Sequence, residues 1–89
     1  MPELTLKAVK HVHYILSILN EDKIISKREA SGPLRIIENA KTFFSENDKI
    51  QSINIEPAPV VIDGEPGYQW NKLLKSLEII IEVFESEPK

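Results

Sequence analysis

WNKLLKSLEIIIEVF, running from Trp70 to Phe84, is the stretch on which the fold turns. At roughly 100° per residue, Trp70, Leu73, Leu74, Leu77, Ile80, Ile81 and Phe84 fall within about 120° of arc, which predicts an amphipathic helix. Ile79 and Val83 lie on the other side of it, beside Lys72 and Lys75. One packing partner cannot bury both sides, so a second surface is expected. The charges run against the helix dipole, with Lys72 and Lys75 near the start and Glu78, Glu82, Glu85 and Glu87 near the end. Glu78, Glu82 and Glu85 share a strip about 60° wide and repel one another. That strip is expected either to stay solvated or to dock on a basic surface, such as Lys7 and Lys10 near the N-terminus.

Outward from this helix, residues 4–19 repeat the pattern. Ala8, Val9, Val12, Ile15, Leu16 and Leu19 recur at helical spacing, and Glu3 suits the positive end of the dipole. Asn20, Glu21 and Asp22 then supply a turn, with fraying possible as far as Lys23, before the apolar pair Ile24-Ile25. Ser26-Lys27-Arg28-Glu29 has the form of a capping box, so a helix starts there. Gly32-Pro33 interrupts it, because proline lacks the N–H that would bond the Glu29 carbonyl and pushes the preceding residue away from the α region. The expectation is a short helix ending near Ser31 and a main helix from Pro33 to about Ser45, burying Leu34, Ile37, Ala40 and Phe44 with Ile36 and Phe43 at its side.

After Ser45-Glu46-Asn47-Asp48 the pattern turns extended. Ile53 and Ile55 alternate with polar residues, and Val60-Val61-Ile62 is a β-branched run. A short hairpin closed around Glu56-Pro57-Ala58-Pro59 is expected, at an edge because the prolines donate no ladder bonds. Asp63-Gly64-Glu65-Pro66-Gly67 reads as a turn cluster leading into the last helix. The fold class is therefore mainly α: three principal helices with a short Pro-rich extended or β-hairpin segment between the second and third, in a single domain over residues 1–89.

Composition narrows the function classes. The chain has 89 residues, 42% hydrophobic and 28% charged, with no cysteine and a net charge of −3. This is too apolar for a disordered chain, and its apolar runs are too short for a membrane span. No secretory leader pattern opens the sequence, and the lack of cysteine fits a cytoplasmic protein. Residues 1–35 hold six bases against four acids, and residues 36–89 hold five bases against ten acids. An acidic chain with two arginines disfavours binding to a nucleic-acid backbone, which needs a concentrated cationic face.

Candidate chemistry is sparse. His11 and His13 point about 200° apart on a helix and meet one metal ion only if that segment is a strand. No G-x-S-x-G elbow is present, and Asp63 and Glu65 sit in a turn expected to be solvated. Gly64-Glu65-Pro66-Gly67 has the letters of a phosphate-clamping G-x-x-G loop, but its acid and its imino residue oppose that use. No enzyme, cofactor or metal is expected. Residues 26–44 admit a helix-turn-helix reading with Gly32 in the turn, the alternative being a DNA-binding regulator.

A chain of this size buries roughly 60% of its unfolded surface, which leaves a monomer marginal. Tyr14 and Ile18 lie off the main face of the first helix, and Tyr68 and Trp70 follow the Pro/Gly turn. The expected function is a small non-enzymatic protein-interaction or regulatory module that associates with itself and with a possible protein target. A stand-alone inhibitor or antitoxin-like protein is a variant of this reading. Its expected interface comprises Tyr14, Ile18, Tyr68, Trp70, Ile79 and Val83, rimmed by Glu78, Glu82 and Glu85.

Overall fold

A computed structural model describes residues 4–18 and 24–86. In chain order its elements are α1 (Leu6–Ser17), β1 (Ile24–Ile25), α2 (Lys27–Phe43), α3 (Asp48–Gln51), β2 (Val61–Ile62), β3 (Glu65–Pro66), β4 (Tyr68–Gln69) and α4 (Trp70–Ser86). The fold is mainly α with a small hairpin between helices, as the periodicity implied. Glu3, Leu19, the expected turn at residues 20–23 and Glu87 lie outside the described residues.

Helix α1 starts at Thr5, whose hydroxyl accepts from the Ala8 N–H at 3.1 Å. Its core side is Val9 and Leu16, with Leu4 buried just ahead of the helix. Helix α4 runs antiparallel to it: Trp70 meets Leu16, Glu78 meets His13 and Glu85 meets Lys10. Helix α2 runs in the direction of α4, since Lys27 reaches Glu65 near the start of α4 and Phe44 stacks on Phe84 near its end. Thus α4 packs on both α1 and α2, and α3 adds a third neighbour.

That arrangement corrects the outward position expected of Val83. Its side chain is 3% exposed, in the core with Leu73, Leu77 and Ile80, and Ile79 is half-buried against the same core. Two helices flank α4, so its buried arc is wider than one partner would need, and the second surface is used inside the chain.

Gly32-Pro33 does not break α2. One helix runs from Lys27 to Phe43 with Pro33 buried inside it. Glycine before proline has no Cβ to meet the pyrrolidine ring, which relaxes the usual bar on α geometry there. The capping box forms as expected: the Glu29 N–H donates to Ser26 Oγ at 3.2 Å, and the Ser26 N–H donates to Glu29 Oε1 at 3.4 Å. With no turn at Gly32, the helix-turn-helix arrangement of residues 26–44 is absent.

The hairpin closes elsewhere than expected. Asp63 and Gly64 have φ of 54° and 82°, the two positive values of a type I′ turn, and join β2 to β3. Ile62 faces Glu65 and Val61 faces Pro66. In such a two-residue hairpin the second pair out from the turn exchanges no hydrogen bonds, so Pro66 lacks nothing. The next pair does bond, Gly67 N–H donating to the Val60 carbonyl at 2.8 Å. Ile24-Ile25 pairs antiparallel with Tyr68-Gln69, tying the α1–α2 connection to the start of α4. Ile53 and Ile55 lie in irregular backbone after α3, which Asn47 caps through a bond from the Ile50 N–H.

Candidate functional site

The helical period explains which part of α1 is left bare. Val9 and Leu16 define its inward direction, and His11, Tyr14, Ile15 and Ile18 follow one another at i, i+3, i+4 and i+7 on the outward side. Tyr14 is 64% exposed, Ile18 62% and Ile15 44%. Residues 11–18 contain no Lys, Arg, Asp or Glu, so this face is exposed and, histidine aside, uncharged. Ile15 was expected in the core because it shares the spacing of Val12 and Leu16. It instead stands at the edge of the core stripe, partly open to solvent.

Beside this face runs a groove between α1 and α2. Val12, Ile15 and Leu16 form one wall, and Glu29, Gly32 and Pro33 form the other, around a volume of about 150 Å³. Its lining is aliphatic save for Glu29, whose Oε1 is already engaged by the Ser26 N–H and hydroxyl. Gly32 keeps the wall low, since a Cβ added there would meet no atom within 4 Å.

The other expected interface residues are placed differently. Tyr68 and Trp70 are half-buried against the core. Trp70 Nε1 donates to the Leu16 carbonyl at 2.6 Å, supplying one of the last carbonyls of α1 with a partner. The acidic strip on α4 is paired within the chain: Glu85 with Lys10 at 3.2 Å, Glu78 with His13 at 3.2 Å and Glu82 with Lys49 at 3.6 Å. These pairs are largely exposed and contribute at most about 1 kcal/mol each. The strip therefore meets α1, as one of its two expected roles required, and α3 as well.

His11 and His13 lie on helix and not on strand, and His13 bonds Glu78. Among the described residues no group of three or more His, Asp or Glu gathers where it could hold a metal ion. Further exposed apolar side chains are Val60 and Val61 at the hairpin and Phe43, whose ring lies against Phe44 and Phe84. No helix among the described residues is long and apolar enough to cross a membrane. Comparisons with protein-family models, with curated proteins and with solved structures each found no match.

Proposed function

We propose that this chain is a small non-enzymatic protein-binding module of the cytoplasm, regulatory in role, that associates with itself through the outer face of α1. The observation that carries the reading is the contiguous exposure of Tyr14, Ile15 and Ile18 beside the aliphatic groove under Ile15. A surface of this kind costs solvation free energy in a monomer and regains it on burial, at roughly 25 cal/mol per Å² of apolar area removed from water. Tyrosine suits such a surface, offering a large apolar body with a polar tip.

Two features support protein over small-molecule or nucleic-acid recognition. The groove is small and aliphatic, about 150 Å³, and its one carboxylate serves a helix cap. The face lacks the clustered cations a phosphate backbone requires. Absence of cysteine suits a reducing compartment.

Sedimentation velocity on the double variant Tyr14→Ser, Ile18→Ser tests the reading. Both residues lie outside the core, so helicity is expected to persist while association is lost. Association unchanged in a folded double variant would refute the assignment of this face.

A further inference from the structure

We propose that the groove between α1 and α2 is a second docking site, beside the self-association face, and that its occupant is an amphipathic helix of another protein with aliphatic side chains on one stripe and carboxylates next to them. This rests on the reading of the chain as a protein-binding module and adds the chemistry of a partner other than itself.

Arg28, Gly32 and Arg35 follow one another at i, i+4 and i+7 on α2 and so form one strip along the mouth of the groove. Arg28 and Arg35 lie about 40° and 60° around the helix from Gly32, turned away from buried Pro33 and Ala40. Both are exposed, and neither side chain makes an ion pair or hydrogen bond among the described residues. Glu29 lies about 60° from Gly32 in the opposite sense, on the groove wall, with its Oε1 held by the Ser26 N–H and hydroxyl. Glu38 stands a further 60° or so beyond Arg35, outside the mouth. Two unpartnered guanidinium groups therefore border an aliphatic groove on a chain whose net charge is −3. Planar guanidinium is suited to carboxylate, which it binds through two parallel N–H donors.

A second copy does not supply that carboxylate pattern. Its acidic strip on α4 is already engaged, Glu78 with His13, Glu82 with Lys49 and Glu85 with Lys10, and two copies meeting groove to groove bring arginine toward arginine. Tyr14 and Ile18 lie about 100° and 60° around α1 from Ile15, on the side away from α2, and remain free for self-association.

Shape points to a helix. The groove holds about 150 Å³, below the roughly 300–1,000 Å³ of small-molecule pockets, and suits single aliphatic anchors. Gly32 has no side chain and open space around it, so the wall between the two arginines is low and a helix backbone can come close. Arg28 and Arg35 are about 10.5 Å apart along α2, two turns at 1.5 Å per residue. A partner helix lying along α2 meets both with carboxylates at i and i+7, while an aliphatic residue at i+4 turns into the groove beside Ile15 and Pro33.

Fluorescence anisotropy with two labelled model helices of about 18 residues, five turns each, tests the proposal. One carries a leucine stripe flanked by glutamate, and the other has lysine in place of every glutamate. The full chain is expected to bind the glutamate helix roughly tenfold more tightly than the lysine helix, with the difference shrinking as salt is raised. Replacing both arginines, Arg28→Gln with Arg35→Gln, should weaken the glutamate helix about tenfold with the circular dichroism unchanged. Ile15→Ser should weaken both helices. The double variant Tyr14→Ser, Ile18→Ser should still bind the glutamate helix although it no longer self-associates. No binding of the glutamate helix by the folded native chain, equal binding of the two helices, or an affinity unmoved by the paired Gln substitutions would overturn the proposal. So would equally tight binding of a single-stranded oligothymidylate, or loss of helix binding in the Tyr14→Ser, Ile18→Ser variant. None of these results bears on self-association, which sedimentation of the chain alone decides.

Discussion

Gly67 lies where β3 passes into β4, and a Cβ there would stand 2.7 Å from Ile24 Cγ2 and 2.8 Å from the Ile25 carbonyl oxygen. A side chain can yield at that distance, but a paired backbone carbonyl cannot. Gly67→Ala is therefore expected to lower stability by about 1–3 kcal/mol, read as a lower urea midpoint. Val83→Ser should also destabilise strongly, by roughly 2–4 kcal/mol, because it opens a cavity and buries a hydroxyl. Tyr14→Ser, on the exposed face, should leave the midpoint of the monomer nearly unchanged. These contrasts mark what was legible in single residues. The spacing placed Tyr14 and Ile18 off the core of α1, where they are found, because a helix with one inward direction has one outward direction. It misplaced Val83 because α4 lies between two helices, and the number of neighbours is a tertiary fact that periodicity does not encode. Trp70 is likewise drawn inward by a carbonyl 54 positions earlier in the chain.

Local chemistry was readable wherever it closed on itself. The capping box of Ser26 and Glu29 set the start of α2, and Ser26→Ala should cost about 1 kcal/mol of stability in thermal unfolding. The missing N–H of Pro33 predicts a break, yet its ring is buried in the groove wall within a continuous helix. Pro33→Ala restores a donor for the Glu29 carbonyl at the loss of some buried ring. It is expected to raise the thermal midpoint, with a net gain on the order of 1 kcal/mol from helix propensity. The prolines of Glu56–Pro59 suggest a hairpin turn there, whereas Asp63-Gly64 holds the stronger turn signal and is where the chain turns. Its second strand was hard to see, since Glu65-Pro66-Gly67 has no β-branched residue and pairs only because Pro66 falls at a position that needs no bond. Helix α3, four residues long, is too short for any periodicity to register.

Three long helices share one core, and the pairs Lys10–Glu85 and His13–Glu78 stitch α1 to α4 along its margin. With α4 occupying the inward sides of both α1 and α2, their outward junction is left as the bare face and groove. Surplus apolar surface on α1 was readable from Tyr14 and Ile18, but the groove was not, because it arises only when α2 passes unbroken beside α1. The central claim is that this face joins two copies. Light scattering on the native chain over a hundredfold dilution, with far-UV circular dichroism on the same samples, tests it most directly. The expected result is a mass near twice 10.2 kDa at high concentration, falling toward 10.2 kDa on dilution with helicity retained. A folded species of 10.2 kDa at every concentration would contradict it.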